Sequence, residues 1–220
     1  MQPPEARELV LARGLERLGL ALDADQQARL LAYQDLIAKW NRVYNLTAVR
    51  DPAEMLTHHL LDSLSVVLPL RRHAAGQPLR LLDVGSGAGL PGVVIAIAEP
   101  SWQITCVDTV GKKASFIQQA AAELGLRQLR SQHARVEELP PAGADVVTSR
   151  AFASLGDFTR LTAKHLARSG GTWMAMKGKP PMTEIADLPV DLDVFHVEPL
   201  QVPALDAERC LVWIRPRAAE

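Results

Sequence analysis

The chain has 220 residues, of which 48% are hydrophobic and 22% are charged, a composition that suits one large folded domain. It excludes disordered and fibrous proteins, and a formal net charge of -1 argues against a strongly basic nucleic-acid coat protein. The charge is unevenly distributed, because residues 109–180 contain eleven Lys and Arg against five Asp and Glu. This basic stretch is either a surface that binds a polyanion or an ordinary solvated face.

The cysteines and the longest apolar run indicate where the protein works. Cys106 and Cys210 lie far apart and match no metal-binding or redox spacing, so we expect no metal and a reduced, cytoplasmic setting. The first residues lack a basic segment followed by an apolar run, so no signal peptide is predicted. The longest uncharged stretch, residues 84–98, is too short and too rich in glycine to span a bilayer. We therefore predict a soluble protein without membrane contact.

Residues 1–76 are predicted to form an N-terminal helical extension, because their apolar residues recur at helical spacing. Asp23 or Asp25 can cap the first long helix. Asp51 and Pro52 are a typical N-cap and first helical residue, so a second helix is expected to begin there. The apolar face of the first long helix is predicted to contain Leu30, Tyr33, Leu36, Ile37, Trp40 and Tyr44.

Residues 77–220 alternate short apolar runs with amphipathic stretches, which predicts an α/β core with a mostly parallel sheet and helices on both faces. We regard the extension and this core as one structural unit. The last two strands are expected to pair in the antiparallel sense. The predicted strands are 79–84, 103–107, 144–148, 171–176, 192–197 and 210–214, and the predicted helices are 91–98, 111–124 and 155–166.

A glycine-rich loop between Asp83 and Gly92 follows the first predicted strand and precedes a helix. Glycine there allows a tight turn and a close approach of a ligand to the backbone. Gly87, Gly89 and Gly92 also match the Gly-x-Gly-x-x-Gly fingerprint of dinucleotide sites. The loop alone therefore leaves a nicotinamide or flavin enzyme open.

Two carboxylates near this loop bear on the choice of ligand. Asp83 would repel a pyrophosphate but attract the sulfonium and ammonium groups of S-adenosylmethionine, so it favours the methyl donor. Asp108 ends the second strand, where a carboxylate can accept hydrogen bonds from both ribose hydroxyls of either cofactor. The alternative for Asp108 is a cap for the helix that begins near Gly111.

Catalytic motifs that the sequence lacks narrow the choice of the atom that would be methylated. The fourth predicted strand ends in Thr148-Ser149-Arg150-Ala151-Phe152, without the Asn/Asp-Pro-Pro-aromatic motif common in enzymes that methylate exocyclic amines. Carbon methylation of a pyrimidine requires a nucleophilic cysteine, and neither cysteine is well placed. A ring nitrogen such as guanine N7 has a free lone pair and needs no base. We therefore name no catalytic residue.

Several blocks of the sequence, in order, resemble the family of bacterial small-subunit ribosomal RNA methyltransferase G, once called glucose-inhibited division protein B. The resemblance covers roughly residues 20 to 215. The matching blocks are Lys39-Trp40-Asn41-Arg42-x-Tyr44-Asn45-Leu46-Thr47, Arg50-Asp51-Pro52-x-Glu54-Met55, His59-x-Leu61-Asp62-Ser63, Asp83 to Gly92, Arg135-Val136-Glu137-Glu138, Ser149 to Leu155, Leu200 to Asp206 and Glu208-Arg209.

This resemblance implies a Rossmann-like S-adenosylmethionine-dependent methyltransferase that modifies guanine N7 in the decoding-region loop of 16S ribosomal RNA. The small ribosomal subunit, or its RNA, is the partner that it implies. Where many family members have threonine and proline in the glycine loop, this chain has Ser86 and Ala88, which are also small. The family's cofactor contacts correspond to Gly85, Leu90, Val136, Glu137 and Arg150, which join Asp83, Gly87, Gly89 and Asp108 as predicted cofactor-binding residues.

The RNA contacts are predicted from charge and position. The target base must be unpaired or extruded, because the major groove of an RNA helix is too deep and narrow for side chains. Trp40 and Tyr44 are assigned to the core, and Arg150 is open to cofactor or RNA. Arg135, Arg160 and Lys179 belong to the basic stretch. The predicted RNA-binding residues are Lys39, Arg42, Asn45, His59, Lys112, Lys113, Lys164 and Lys177.

Two other functions remain open at this point. A nicotinamide-dependent oxidoreductase would explain the spacing of the glycines. A non-catalytic ribosome-assembly factor would keep the nucleoside site and bind RNA without transferring a methyl group. Nothing in the sequence requires more than a monomer.

Overall fold

The computed structural model describes residues 6–150 and 152–217. Its N-terminal part is helical, as predicted. The long second helix begins after Asp23, whose side chain accepts the backbone N–H of Gln26 while the Gln26 side chain accepts that of Asp23. The elements are α1 (Arg7–Leu18), α2 (Ala24–Tyr44), α3 (Pro52–Met55), a π-helical turn (Leu56–Leu61), α4 (Asp62–Leu64) and α5 (Val67–Ala74).

The core is a seven-stranded sheet in the order β3-β2-β1-β4-β5-β7-β6. Strands β1 to β5 are parallel, and β6 and β7 are antiparallel, as predicted. The strands are β1 (Arg80–Val84), β2 (Gln103–Asp108), β3 (Leu129–His133), β4 (Val146–Ser149), β5 (Thr172–Lys177), β6 (Leu192–Leu200) and β7 (Arg209–Pro216). The helices are α6 (Gly92–Ala98), α7 (Gly111–Glu123), α8 (Leu155–Thr162) and α9 (Met182–Ala186), with 3-10 turns at Val136–Glu138 and Ala163–His165.

Helices cover both faces of the sheet and create two hydrophobic clusters. One face packs against α6, α7 and the helical extension, so Leu30 and Leu60 share a cluster with Val93. The other face packs against α8, where Phe158 meets Trp173 in the second cluster. The extension therefore contributes to the same core as the sheet.

The structure differs from the sequence prediction in three places. Tyr44 was assigned to the core, but it is 40% exposed, because it is the last residue of α2. The third strand had no predicted bounds, since its sequence contains only one buried apolar residue, Leu129. The predicted helix 155–166 ends at Thr162 and continues as a 3-10 turn.

Candidate functional site

The glycine loop lies at the carboxyl end of β1, where Gly85, Gly87 and Gly89 have φ of 69°, 60° and 90°. Such left-handed conformations favour glycine. At Gly92, the start of α6, a Cβ atom would lie only 2.4 Å from Cys106 Sγ. The loop therefore requires glycine for backbone conformation at three positions and for close packing at the fourth.

Asp83 supports this loop from below. The side chain is fully buried, and its Oδ2 accepts the backbone N–H of Gly92 at 2.9 Å. Burial raises the pKa of Asp83 to about 7, against the lowering effects of the Gly92 hydrogen bond and of Arg150. The carboxylate has no exposed surface, so the predicted attraction to a cationic group of the cofactor would act across the loop.

Asp108 connects the loop to the next helix. Its Oδ2 accepts the N–H of Gly87 at 2.8 Å, and its Oδ1 accepts the N–H of Val110 at 2.8 Å. The two sequence interpretations of Asp108 are thus compatible, because the carboxylate braces the start of α7 and also borders the loop. Each oxygen keeps a second lone pair for a ligand hydroxyl.

A cavity of about 230 Å³ opens beside Asp108, at the carboxyl ends of β1, β2 and β3, and we call it the nucleoside cavity. Its carboxylates can accept hydrogen bonds from hydroxyl and amino groups, and its apolar side chains offer a surface to an aromatic ring, so the lining fits a nucleoside. The lining residues are Val84, Gly85, Val107, Asp108, Thr109, Ala134, Arg135, Val136, Glu137, Phe152 and Leu161.

The predicted cofactor-binding residues fall into three groups. Gly85, Asp108, Val136 and Glu137 line the nucleoside cavity. Gly87 is half-buried beside Asp108, whereas Asp83, Gly89 and Leu90 are buried in the support of the loop. Arg150 lines a different cavity.

That second cavity, of about 310 Å³, lies at the ends of β4, β5 and β7, and we call it the Arg150 cavity. The helical extension forms one of its walls. The strand order places it beside the nucleoside cavity, because β4 neighbours β1 and both strands end at the same edge. Its lining residues are Val49, His58, His59, Asp62, Arg150, Met176, Lys177, Gly178 and Arg209.

Two predicted RNA-binding residues line the Arg150 cavity. His59 is 4% exposed, and its Nε2 lies 2.9 Å from Thr47 Oγ1. Burial lowers the pKa of His59 to about 4, so the ring is neutral at pH 7. Lys177 is partly buried, and its ammonium donates to Glu184 at 2.9 and 3.0 Å.

The other predicted RNA-binding residues are distributed around the same edge of the sheet. Lys112 is exposed and Lys113 half-buried at the start of α7, and exposed Lys164 donates to the backbone oxygen of Glu137 at 2.6 Å. At the end of α2, three predicted contacts are exposed, namely Lys39, Arg42 and Asn45.

The basic stretch is partly neutralised by its own neighbours. Arg135 pairs with Glu137 at 2.8 Å, and Arg160 pairs with Asp157 at 2.7 Å. Lys179 lies 3.4 Å from a Glu208 carboxylate oxygen. The count for residues 109–180 already includes Glu137 and Asp157, so of these three pairs only that of Lys179 with Glu208 reduces the surplus positive charge.

Three cavity residues were missed as site residues. Phe152 lines the nucleoside cavity, and Asp62 and Arg209 line the Arg150 cavity. All three lie within the sequence blocks that resemble the family, so that resemblance could have identified them as site residues. Their sequence separation hid the fact that Asp62 and Arg209 meet.

Comparison with known proteins gives the family. The sequence model described as rRNA small subunit methyltransferase G matches residues 26–212. The chain belongs to this family. A ribosomal RNA small subunit methyltransferase G from Leptothrix cholodnii is 60% identical over 218 residues, covering 99% of this chain and 98% of that protein. One from Methylibium petroleiphilum is 60% identical over 214 residues, covering 96% of each chain.

Solved structures show the same fold at lower identity. TrmN from Thermus thermophilus aligns with a TM-score of 0.56 and 20% identity, covering 74% of this chain and 53% of that one. A SAM-dependent methyltransferase from Aquifex aeolicus aligns with a TM-score of 0.52 and 16% identity, covering 74% and 97%. A Burkholderia thailandensis N1-methyltransferase solved with S-adenosylhomocysteine has a TM-score of 0.56 and 14% identity, covering 90% and 92%.

These findings confirm several of the predictions. The fold is the Rossmann-like methyltransferase fold, and the rRNA small subunit methyltransferase G family makes the protein an rRNA methyltransferase that uses S-adenosylmethionine. Membership of this family makes the nicotinamide-dependent oxidoreductase alternative wrong. The glycine spacing that suggested it is common to both cofactor classes.

Proposed function

We propose that this protein transfers a methyl group from S-adenosylmethionine to N7 of a guanine in the decoding-region loop of 16S ribosomal RNA. The observation that carries the proposal is the position of the nucleoside cavity beside the cationic Arg150 cavity, at one edge of the sheet. One cavity suits the cofactor's nucleoside, and its neighbour suits an anionic RNA segment.

Within the nucleoside cavity, we assign the ribose hydroxyls to Asp108 and the edge of adenine to Val136 and Glu137. Gly85 lines the cavity where the loop backbone can approach the ligand. Asp83, Gly87, Gly89 and Leu90 set the shape of this loop. When bound, the cofactor supplies an electrophilic methyl group on a positively charged sulfur.

The reaction needs little further chemistry from the side chains. The N7 lone pair of guanine would form the new bond to the methyl carbon as the carbon–sulfur bond breaks, so S-adenosylhomocysteine leaves uncharged and the methylated base takes the positive charge. No proton has to leave the nucleophile. The protein therefore acts by placing base and methyl group in line, by excluding water and by holding the RNA. No general base is assigned.

The RNA-binding face is proposed to run along the edge that carries both cavities. A base that presents N7 must be unpaired or extruded. Exposed cations at the carboxyl end of α2 and at the start of α7 would contact phosphates on either side of this base. The proposed contacts are Lys39, Arg42, Asn45, His59, Lys112, Lys113, Lys164 and Lys177.

We further propose a monomeric enzyme that works in the cytoplasm on the small ribosomal subunit. In residues 6–150 and 152–217, no helix is long and apolar enough to cross a membrane. The same residues contain no cluster of side chains suited to a metal ion. The proposed reaction requires neither a membrane-spanning helix nor a metal ion.

The proposal is tested by incubating the protein with labelled S-adenosylmethionine and small ribosomal subunits from cells that lack the endogenous enzyme. We expect one labelled nucleotide, mapped to N7-methylguanine in the decoding-region loop. Label on another atom would refute the substrate assignment. Subunit binding without any transfer would instead favour the assembly-factor alternative.

The cofactor assignment predicts the effect of Asp108→Ala. This change removes the ribose acceptor and also frees the N–H groups of Gly87 and Val110. We expect S-adenosylmethionine affinity to fall by about 1–3 kcal/mol, measured by titration calorimetry. Asp157→Ala, at an exposed ion pair on α8, is the control and should bind the cofactor normally. Equal affinities in the two variants would contradict the assignment.

A further inference from the structure

A buried carboxylate in the helical extension connects two arginines from separate strands. Asp62, the first residue of α4, is only 2% exposed. Its Oδ2 lies 3.3 Å from Arg150 Nη1, just after β4, and its Oδ1 lies 2.9 Å from Arg209 Nε, at the start of β7. Arg150 Nη1 also lies 3.2 Å from the His58 backbone oxygen. The extension thus fixes both guanidinium groups at the edge of the sheet.

Both guanidiniums keep donors that face the Arg150 cavity. Their side chains are 28% and 24% exposed, and both line that cavity. Arg209 Nη1 donates to the Glu208 backbone oxygen at 2.9 Å. Within residues 6–150 and 152–217, no protein acceptor is assigned to Nε or Nη2 of Arg150, or to Nη2 of Arg209. These donors are available to a ligand.

The charge of this cluster favours an anion. Two guanidiniums share the single carboxylate of Asp62, which leaves one net positive charge. Lys177 adds an ammonium group to the lining, although Glu184 already pairs with it. Planar guanidinium groups match the oxygen spacing of phosphates and carboxylates. An oxyanion is therefore the ligand chemistry that fits.

We infer that the Arg150 cavity holds an RNA phosphate close to the target guanine, and that Asp62 is the positioning residue for its two arginines. This inference rests on the proposed function. The carboxylate of S-adenosylmethionine has the same oxyanion chemistry and is the alternative source. Arg150 follows β4, which neighbours β1, so Arg150 alone could serve either source. RNA is favoured because the cavity extends to Arg209 on β7, which β4 and β5 separate from β1, and because the extension walls the cavity at Val49 and His58.

The test is Asp62→Asn in the full-length protein, which leaves the arginines charged but loosens their orientation. We expect the KM for small subunits to rise about tenfold, while the S-adenosylmethionine Kd stays within about twofold of the wild type. The direction of the change in subunit KM distinguishes positioning from long-range attraction. Removal of a negative charge would strengthen RNA binding if only long-range attraction mattered, whereas loss of positioning weakens it.

A matched control is Asp193→Asn. Asp193 pairs with Arg215 at 2.8 Å on β6 and β7, towards the opposite edge of the sheet from the cavity. The control removes the same charge from a carboxylate that pairs with one arginine and is more exposed than Asp62. Its KM for subunits should equal that of the wild type.

A second variant covers the case in which Asp62→Asn does not fold. Arg209→Lys keeps the charge but loses the planar fork, and it should also raise the subunit KM several-fold, on the order of fivefold. Unchanged subunit KM in whichever variants fold would overturn the inference. So would a weakened cofactor Kd with normal subunit KM, which would assign the oxyanion site to the cofactor carboxylate. Failure of the wild-type protein to methylate subunits would instead refute the proposed function.

Discussion

Asp83 shows how one buried carboxyl group can support a backbone loop. Its carboxyl group lies beneath the glycine loop and accepts the N–H of Gly92, and burial raises its pKa to about 7. A charged carboxylate in this position lacks the solvation that water gives to the unfolded chain. The group therefore links the stability of the loop to pH.

We predict that Asp83→Asn changes the pH dependence of stability. The folded wild type holds this proton more tightly than the unfolded chain, so the stabilisation is complete below about pH 4 and is lost as the pH rises through about 7. The free energy of unfolding of the wild type should fall relative to the variant by about 3 kcal/mol between pH 5 and pH 8. Urea unfolding at several pH values measures this difference.

The comparison with the variant is necessary because other groups titrate in the same range. Burial lowers the pKa of His59 to about 4, so its effect on stability has the opposite sign and is lost as the pH falls through that value. That contribution is present in both proteins and cancels in the difference. Parallel pH curves for the two proteins would show that Asp83 is not responsible.

At the scale of elements, the long helix α2 braces the cofactor loop from the side. Tyr33, fully buried in α2, donates its hydroxyl hydrogen to the backbone oxygen of Ala88. Its ring stacks near Phe116 of α7, with 6.3 Å between the ring centroids. The helical extension is therefore part of the support of the cofactor site as well as a wall of the Arg150 cavity.

We predict that Tyr33→Phe destabilises the protein by about 1–2 kcal/mol, because the buried Ala88 oxygen loses its side-chain donor. The looser loop should also bind S-adenosylmethionine less tightly. Thermal unfolding and cofactor titration measure these effects. Tyr44→Phe is the control, since Tyr44 is 40% exposed and keeps its ring contact with Trp40 in either form. Equal stability of the two variants would contradict the predicted bracing.

At the scale of the whole molecule, the helical extension and the sheet share one hydrophobic core. Helices α6 and α7, which cover the sheet, are themselves covered by α2, and α6 also contacts α4. Apolar residues such as Val93, Ile95 and Phe116 are fully buried by this second layer. The boundary between residues 76 and 77 therefore divides the chain in sequence but not the core in space.

We predict that residues 77–220 do not fold when they are produced alone. Removal of the extension would expose the outer faces of α6 and α7, and this loss of apolar burial acts against a net stability of only about 5–15 kcal/mol for a typical domain. Circular dichroism should show no cooperative thermal transition, and a hydrophobic dye should bind. The full chain is the control. A cooperative transition in the fragment would establish an independent domain.

The local features of this protein could be predicted from sequence because they depend on neighbouring residues. Apolar periodicity placed the strands β1, β2 and β5, and the caps at Asp23 and Asp51 follow from side chains that bond to the next turn. Glycine spacing located the loop, and the order of matching blocks gave the family.

Only the tertiary structure decided how distant residues share a site. Arg150 and Arg209 lie 88 and 147 residues along the chain from Asp62, whose carboxylate joins them, and no local pattern reports such a contact. Solvent exposure was equally non-local, since Asp83 in a central strand is fully buried while Tyr44, the last residue of α2, is 40% exposed. The sequence by itself determined the elements, the loop and the family, because short-range forces set them; packing across the sheet determined which side chains meet.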